Sequence, residues 1–338
     1  MKHLLYLGNK LAHNGANPTT IDTLGPLLEK EGFKISYAST KPNKVARLLD
    51  MILTTFFTRK VDYVVIDTYS TTNFWYAFVV SRICYIRNLS YIPILHGGNL
   101  PQRWLTHPKS CKLLFHQAYR NVCPSPYLLQ VFEELACPNL VHIPNVLETR
   151  NYTFKERIVI QPKLLWVRAF AEIYNPTMAV QVLDRLVKEF PDAELCMVGP
   201  DKEGSLEKTK QLAQSLGLKV TFPGQLSKSE WVKLSEQYDI FLNTTHFDNM
   251  PVSVIEAMSL GLAVVSTRVG GVPFLIENSE EGLLVADNDV QGMCDAIQFL
   301  LKNPSEFGRI TKKAREKAAF FEWEKVKEKW IAILNNPC

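Results

Sequence analysis

The sequence predicts an α/β protein of two doubly wound domains, in which parallel sheets are covered by helices on both faces. Three observations support this prediction: the length of 338 residues, the alternation of short apolar runs with helical patterns, and a polar segment after which that alternation restarts. A chain of this length exceeds one ordinary hydrophobic core, so two domains of about 150 residues each are expected. Apolar residues make up 46% and charged residues 21% of the chain, which argues against disorder.

Short, nearly continuous apolar runs predict strands that are buried on both faces. Between these runs lie helical patterns, such as Asn175–Phe190, whose apolar residues recur at spacings of three and four. Alternating strands and helices imply parallel sheets. The predicted strands are Leu4–Leu7, Lys34–Ala38, Tyr63–Ile66, Tyr91–Leu95, Asn121–Cys123, Leu140–Ile143, Leu164–Val167, Glu194–Val198, Val220–Phe222, Ile240–Leu242, Ala263–Ser266 and Leu283–Val285.

A polar, charged segment from Leu147 to Pro162 interrupts the alternation and is interpreted as an interdomain linker. We therefore expect one Rossmann-like domain at residues 1–157 and a second at residues 158–318. In such folds ligands bind at the carboxyl ends of the strands, and clefts between domains are favoured sites. We expect the two domains to face each other across a cleft. A long final helix is expected at Thr311–Leu334, with an apolar packing stripe.

Charge is distributed unevenly along the chain. Residues 1–157 carry 18 Lys and Arg against 10 Asp and Glu, whereas residues 158–338 carry 20 against 24. A basic first half indicates an anionic partner such as a membrane surface, a lipid phosphate or an acidic glycan. Ordinary solvated surface explains the same pattern equally well.

No leader peptide or membrane span is recognisable in the sequence. The apolar run that follows Met1 is too short for a signal peptide. The most apolar stretch, Phe74 to Ile86, contains Arg82 and falls short of the ~18 residues that a spanning helix needs. We expect a cytoplasmic protein. A helix at this stretch could lie on a membrane, but we favour a helix that covers the sheet.

The most informative segment runs from Ile240 to Gly261, where a buried strand, a polar loop and a helix follow one another. Pro251 suits the first turn of a helix and Gly261 suits its end, so a helix is expected from Pro251 to Leu260. A helix start offers free N–H groups and partial positive charge, which suit a diphosphate. Asp248 precedes this helix and Glu256 lies inside it, so two carboxylates could accept hydrogen bonds from a sugar and a ribose. Alternatively, Asp248 is only a cap and Glu256 only a solvated helix residue.

The pattern Asp248-x7-Glu256, followed by Ala-Met and Gly261, resembles the E-x7-E motif of the retaining glycosyltransferases of family 4, which have the GT-B fold. Further segments resemble that family in the same order along residues 90–330. These segments are Ile94–Gly97, Ile143–Val146, Leu165–Arg168, Phe222–Leu226, Val264–Pro273, Gly282–Val285 and Phe321–Glu324. The resemblance implies that residues 319–338 form a helix that returns to the first domain.

The resemblance also implies roles for individual residues. Asp248 would contact the donor sugar and Glu256 the ribose, while Arg168 would bind the diphosphate and His96 would approach the sugar. Asp248 is one methylene shorter than the usual Glu, and Tyr174 stands where the family has a Lys. The remaining donor-binding candidates are Gly15, Tyr174, Gln225, Asn249, Met250, Pro251, Val252 and Ser253.

By this resemblance the chain is a metal-independent, retaining hexosyltransferase that uses a UDP- or GDP-type sugar as substrate and needs no cofactor. The implied acceptor is a glycan or a lipid-linked molecule in cell-surface polysaccharide or glycolipid synthesis. Nucleic acid is not an expected partner, and peripheral contact with the inner face of the membrane stays open. An inactive donor-binding or scaffolding relative is the first alternative, and a sugar-nucleotide epimerase is the second. A dinucleotide oxidoreductase is disfavoured because neither domain opens with the glycine fingerprint.

Overall fold

The computed structural model describes residues 1–11 and 19–335. The chain forms two compact units. The first contains residues up to Val146 together with the C-terminal segment that begins at Trp323, and the second contains Leu147–Glu322. The C-terminal segment is therefore part of the first unit.

The first unit is built on a six-stranded, fully parallel sheet with the strand order β2-β1-β3-β4-β5-β6. Its side chains alternate between two cores, because successive residues of a strand point to opposite faces. In β1, Leu5 and Leu7 enter one core, whereas Leu4 and Tyr6 enter the other. The strands are β1 (His3–Leu7), β2 (Lys34–Ala38), β3 (Tyr63–Thr68), β4 (Tyr91–Leu95), β5 (Asn121–Cys123) and β6 (Leu140–His142).

Helices cover both faces of this first sheet. Helices α2 to α6 pack over the face that holds Leu5 and Leu7, while α1 and α14 pack over the opposite face. In α14, Trp323, Val326 and Trp330 are buried against β1 and β3 residues. The helices are α1 (Thr20–Lys30), α2 (Lys44–Phe57), α3 (Thr72–Ile86), α4 (Leu100–Thr106), α5 (Pro108–Phe115), α6 (Pro126–Glu134) and α14 (Trp323–Asn335).

The second unit repeats this plan with a six-stranded parallel sheet of order β12-β11-β10-β7-β8-β9. As in the first unit, one strand contributes side chains to two cores: Leu164 and Trp166 of β7 lie on one side of the sheet and Leu165 on the other. The strands are β7 (Lys163–Val167), β8 (Glu194–Val198), β9 (Val220–Gly224), β10 (Ile240–Asn243), β11 (Ala263–Thr267) and β12 (Leu283–Val285). The twelve strands expected from the sequence are thus all present, with ends that differ by at most two residues.

Seven helices of the second unit follow its strands in the described chain. Those that cover the Leu164 side are α7, α8, α12 and the first part of α13, while α9, α10, α11 and the end of α13 cover the Leu165 side. The helices are α7 (Pro176–Leu186), α8 (Ser205–Ser215), α9 (Lys228–Ser235), α10 (Val252–Ser259), α11 (Val272–Leu275), α12 (Val290–Lys302) and α13 (Pro304–Ala318).

The expected single helix Thr311–Leu334 is wrong. Helix α13 ends at Ala318, a short 3-10 turn follows, and Glu322 is extended with ψ 147° before α14 begins. The break separates two packing stripes that belong to different cores: Ala314 and Ala318 pack in the second unit, while α14 packs in the first. Because both stripes share helical spacing, the sequence alone shows one continuous pattern.

Two other sequence expectations need correction. The segment expected as a linker packs within the second unit, where Leu147 and Tyr152 are buried and Arg157 forms an ion pair of 3.0 Å with Asp239. The helix expected at Asn175–Phe190 ends at Leu186. The sequence did not reveal the packing of the segment from Leu147 to Pro162, because its few buried residues follow no regular spacing.

Candidate active site

The candidate site of the second unit lies where its strand order reverses. The chain proceeds from β7 outward through β8 and β9, and then returns to place β10 on the other side of β7. Because the strands are parallel, the loops after β7 and β10 leave the same edge of the sheet side by side. Arg168 follows β7, and the loop that contains Asp248 follows β10. Such a reversal point is the usual ligand site of an open α/β sheet.

An ion pair joins these two loops. Arg168 Nη2 donates to Asp248 Oδ2 at 2.6 Å, and the two side chains are 14 and 15% exposed. The Tyr174 ring lies against the guanidinium, with 5.0 Å from Arg168 Cζ to the ring centroid. Arg168 Nε is buried, and it has no hydrogen-bond partner among the described residues. The guanidinium therefore retains a donor that an anionic ligand could use.

Two glycines hold the loop that carries Asp248. The N–H of Gly271 donates to the Asp248 carbonyl at 2.8 Å. A Cβ on Gly271 would lie 1.7 Å from the Asn249 carbonyl oxygen, and one on Gly270, whose φ is +52°, would lie 2.2 Å from that of Asp248. Any larger residue would displace the loop. Gly270 and Gly271, which lie in the segment Val264–Pro273 that resembles the family, therefore have a local structural reason here.

Helix α10 starts at Val252, and Pro251 is its N-cap rather than its first helical residue. Proline fixes φ but leaves ψ free, and the ψ of 105° at Pro251 is extended, so the expected start is off by one residue. Within the described chain no side chain caps this helix, and the buried Ser253 Oγ has no hydrogen-bond partner there. The helix start thus offers N–H groups and a hydroxyl to a ligand.

Asn249 and Met250 connect Asp248 to this helix start. The Met250 side chain is buried in the core beside Val254, while Asn249 is half-buried. A ligand at the helix start would therefore meet Met250 through its backbone. Gln225 is exposed directly after β9, which is separated from β7 by β8. The structure thus brings Arg168, Tyr174 and Asp248 together and places Gln225 two strands away.

Glu256 belongs to a second network. Its carboxylate is buried, accepts a hydrogen bond of 2.8 Å from the Tyr152 hydroxyl, and forms an ion pair with the half-exposed Lys228. Burial and the neighbouring Glu256 raise the pKa of Tyr152, so this hydroxyl remains a donor. Our sequence reasoning missed both partners. The capping box of Ser227 and Glu230 marks the start of α9 at Lys228, but it does not indicate that Lys228 pairs with Glu256.

In the first unit, His96 is held by a carboxylate that the sequence analysis did not single out. His96 Nε2 lies 2.9 Å from Asp67 Oδ1, and the side chains are 6 and 1% exposed. The Tyr6 hydroxyl donates to the same oxygen at 3.0 Å. A carboxylate accepts hydrogen bonds, so Nε2 carries the hydrogen and Nδ1 of a neutral ring is the acceptor. The only sequence signal for Asp67 was an acid inside a fully apolar strand pattern.

Asp67 lies beside the reversal point of the first sheet, between β1 and β3. A Cβ on Gly8 would lie 2.6 Å from Asp67 Oδ2, which is buried without a hydrogen-bond partner in the described part of the chain. Burial and the Asp67 carboxylate raise the pKa of Tyr6. A cavity of about 10 Å³, the size of one water molecule, borders Gly8 and Asp67. Gly15, also a predicted donor contact, lies outside the described residues.

Three further properties of residues 1–11 and 19–335 concern metal ligands, membrane spans and thiols. In that range, no group of three or more His, Cys, Asp or Glu side chains could hold a metal ion. None of the helices there is both long and apolar enough to cross a bilayer. Six of the cysteines are free and buried, and burial raises the pKa of Cys84 to about 12.

Two parallel, doubly wound sheets of six strands each define a two-domain, Rossmann-like protein of the GT-B class. The model of the family "Glycosyl transferases group 1" matches residues 149–317, which is half of the chain. The chain therefore belongs to the group 1 glycosyl transferases.

Curated relatives match about half of the chain. An uncharacterized glycosyltransferase of Haemophilus influenzae is 29% identical over 156 residues, covering 46% of this chain and 44% of the relative. A D-inositol 3-phosphate glycosyltransferase of Mycobacterium ulcerans is 28% identical over 173 residues, covering 49% and 37%. The chain thus spans less than half the length of these relatives.

Solved structures resemble the chain over nearly its whole length. HepE of Anabaena, in complex with UDP and glucose, superposes with a TM-score of 0.78 at 15% identity and covers 98% of this chain and 99% of its own. A sucrose-phosphate synthase of Thermosynechococcus elongatus gives a TM-score of 0.80 at 15% identity, covering 98% of each chain. At this identity the likeness shows the fold.

Proposed function

We propose that this protein transfers a hexose-type sugar from a UDP- or GDP-type nucleotide sugar to a glycan or lipid-linked acceptor, with retention and without a metal. The observation that carries the proposal is the Arg168–Asp248 pair, at 2.6 Å, at the reversal point of a parallel sheet and beside an uncapped helix start. A diphosphate needs cationic and N–H donors, and a sugar needs acceptors. This site offers both kinds of group within one pair of loops.

In the proposed reaction the bond between the anomeric carbon and the diphosphate breaks, and negative charge develops on the leaving phosphate oxygens. The oxygen of the acceptor hydroxyl bonds to the anomeric carbon on the same face, and the proton of that hydroxyl passes to the leaving phosphate. Arg168 would shift part of its hydrogen bonding to those oxygens, with the amides of Val252 and Ser253 beside it. Asp248, released in part from Arg168, would accept hydrogen bonds from sugar hydroxyls. Proposed donor contacts also include Asn249, the backbone of Met250 and Pro251, Tyr174 and Gln225.

His96 has a proposed part in orienting the sugar ring. Asp67 holds Nε2, which leaves Nδ1 to accept a hydrogen bond from a sugar hydroxyl. Glu256 is proposed to accept from the ribose. Its ties to Tyr152 and Lys228 would keep the carboxylate ionised and fixed in place for that contact.

We place this function in cell-surface polysaccharide or glycolipid synthesis, in the cytoplasm at the inner face of the membrane. The first domain would serve the acceptor and the second the donor. The basic first half of the chain supports a partner that carries phosphate or acidic sugars, and we assign no role to nucleic acid.

One observation favours an inactive, donor-binding relative as a second candidate. The cation that would meet the diphosphate is already paired with Asp248, and Tyr174, which stands where the family has a lysine, adds a ring but no charge. Such a protein would bind nucleotides but leave the sugar donor intact.

A thermal-shift screen of nucleoside diphosphates and their sugars tests donor binding, since a ligand that binds only the folded state raises the melting temperature. UDP and UDP-glucose come first, because HepE was solved with UDP. Arg168→Ala should weaken binding by about tenfold or more, the usual loss for a hydrogen bond to a charged group. Arg185→Ala is the matched control, because Arg185 is exposed and bonds Gln291 instead.

Glu256→Gln should also reduce the shift, and Gln suits the test because Ala would strip Tyr152 and Lys228 of their shared acceptor. Anomeric analysis of the product then separates the candidates. Transfer with retention supports the proposal, and binding without turnover across all donors supports the inactive relative. An epimerised sugar, or equal shifts in Arg168→Ala and wild type, would contradict the proposed site.

A further inference from the structure

The larger apolar stripe of helix α2 faces solvent and not the core. The exposed fractions of Val45, Leu49, Leu53, Phe56 and Phe57 lie between 53 and 68%. Their spacing of four, four, three and one places them on one side of the helix. A helix that only covers a sheet normally buries such a stripe, so this pattern requires another explanation.

Hydrogen bonds show that α2 is fixed in this orientation. The residues that it buries are Arg47, Met51 and Thr55. The Arg47 guanidinium donates to the carbonyls of Lys41 and Pro42 at 2.9 Å each, and to Asn9 Oδ1 at 2.8 Å. Rotating the helix to bury its apolar stripe would break these bonds and leave the carbonyls of Lys41 and Pro42 and the Asn9 Oδ1 atom without this donor.

The apolar stripe continues onto neighbouring helices. Helix α3 runs beside α2, since the Tyr76 hydroxyl donates to the Lys44 carbonyl at 3.1 Å and Arg87 Nη1 donates to the Thr55 carbonyl at 2.6 Å. At the end of α3, Tyr85 is 60% and Ile86 75% exposed. Apart from Met1, all the exposed large apolar residues described in this unit lie on α2 to α5. We call these residues the apolar face: Val45, Leu49, Leu53, Phe56, Phe57, Trp75, Tyr85, Ile86, Leu105 and Leu113.

The stretch of sequence that contains the apolar face is strongly basic. Residues 41–132 hold 11 Lys and Arg against 3 Asp and Glu, and residues 68–132 hold 6 against none. Lys44, Arg59 and Lys60 are exposed at the two ends of α2. An exposed apolar surface bordered by cations is complementary to an anionic lipid surface, whose headgroups attract the cations while rings enter the boundary with the acyl chains.

We propose that the apolar face docks on an anionic bilayer surface, with Phe56 and Phe57 inserted and Lys44, Arg59 and Lys60 on lipid phosphates. This inference deepens the proposed function, because it names the surface by which the protein would reach a lipid-linked acceptor. A second copy of the chain would also cover an apolar patch. Self-association, however, would bring two basic borders together, and like charges facing each other oppose association.

The test is flotation of the 338-residue protein with vesicles of phosphatidylcholine alone and with added phosphatidylglycerol. We expect binding to the anionic vesicles only. Phe56→Ser/Phe57→Ser should weaken partitioning by more than about tenfold, since two rings lose their apolar contact. Lys44→Gln/Arg59→Gln should weaken it by about fivefold per charge, and high salt should reproduce this loss.

Matched variants in the second unit serve as controls. Phe299→Ser/Phe320→Ser removes two exposed rings, and Lys208→Gln/Lys233→Gln removes two exposed charges, without touching the apolar face. Both should bind vesicles like wild type. All variants should keep the nucleotide-induced thermal shift, which reports on the donor site separately and shows that the fold is intact.

Three results would overturn the proposal. One is equal recovery of wild type with neutral and anionic vesicles, and another is equal loss in the control variants. The third is a concentration-dependent dimer in sedimentation velocity that Phe56→Ser/Phe57→Ser abolishes while vesicle binding is absent. That outcome would assign the apolar face to a second copy of the chain. A missing nucleotide shift with intact vesicle binding would instead count against the proposed function alone.

Discussion

At the residue scale, two buried acids have partners that decide what each can do. Glu256 is tied to a hydroxyl and an ammonium group, and Asp67 to a phenol and an imidazole. Both carboxylates are nearly inaccessible to solvent, so their hydrogen bonds determine the geometry of the groups around them. The difference is that Glu256 is proposed to bind a ligand directly, whereas the proposed role of Asp67 is to position His96.

We predict that Asp67→Asn lowers kcat by about tenfold or more while the KM for the donor stays unchanged. The amide can still fill the space, but it no longer attracts the Nε2 hydrogen as a carboxylate does, so His96 loses its fixed tautomer. Steady-state kinetics with a pH profile measure this change, and a positioning role also predicts an altered profile. Asp62→Asn is the control, since Asp62 is exposed and accepts from the His3 backbone N–H at 2.6 Å. A changed KM with unchanged kcat would contradict the positioning role.

Some residues of the candidate site could be predicted from the sequence, and others could not. Asp248 and Glu256 could be found because their spacing spans one helix start. Tyr152 and Lys228 could not, because Glu256 meets them across 104 and 28 residues of chain, and only the folded sheet brings them together. Asp67 stayed hidden for a related reason: a buried acid in a strand has no distinctive pattern until the next strand places His96 beside it.

At the scale of elements, strands were far easier to predict than helix ends. The inner strands are covered on both faces, so their apolar runs are nearly continuous, whereas a helix end depends on which core its last turn meets. Helices α13 and α14 share one spacing but serve different units. The exposure of the apolar stripe of α2 could likewise not be predicted, because such a stripe has the same sequence pattern whether it faces the core or the solvent.

We predict that Gly271→Ala destabilises the loop after β10. The new methyl group would overlap the Asn249 carbonyl, so the loop must move, at a cost of about 1–3 kcal/mol. Thermal unfolding should show the loss, and the nucleotide-induced shift should shrink with it. Gly308→Ala is the matched control, because its Cβ would meet nothing within 4 Å among the described atoms. In a helix that change should stabilise by about 0.5–1 kcal/mol. Equal effects of the two changes would contradict the close contact.

We predict that the free energy of unfolding depends on pH through His142, which lies in β6 near α14. Burial, followed by the nearby Lys329, lowers the pKa of His142 to about 4. The folded state therefore favours the neutral ring, so stability is constant above the unfolded pKa of about 6.5 and declines as pH falls toward about 4.

Denaturant unfolding of His142→Gln should remove part of this decline, by about 1 kcal/mol once solvent screening of the partly exposed ring is allowed for. His116→Gln, at an exposed histidine, is the control and should leave the pH dependence unchanged. A decline that persists in full in His142→Gln would assign it to other groups.

At the scale of the whole molecule, the two units differ in how the chain builds them. The second unit is one continuous segment, Leu147–Glu322, whereas the first needs both ends of the described chain. Without α14, the core around Leu4, Tyr6 and Val65 would lose Trp323, Val326 and Trp330. Fold class was predictable from the sequence because it depends on the repeated alternation, but this division depends on where one helix stops.

We predict that a fragment of residues 147–322 unfolds cooperatively on its own, while a fragment of residues 1–146 does not. Loss of α14 exposes a large apolar surface, and burial of each such side chain contributes about 1.5–3 kcal/mol. Circular dichroism during heating measures both fragments. Joining residues 323–335 to the shorter fragment through a flexible linker should restore a transition. A stable fragment of residues 1–146 would contradict this account.

The same discontinuity has a consequence for biosynthesis. A ribosome releases the amino-terminal sheet early, but the helix that closes that sheet leaves the exit tunnel only after all of the second unit. Residues 1–146 must therefore wait, partly assembled and with an uncovered apolar surface, until α14 has been translated. Nascent chains stalled before Trp323 should accordingly recruit chaperones at their amino-terminal half, although that half was made first.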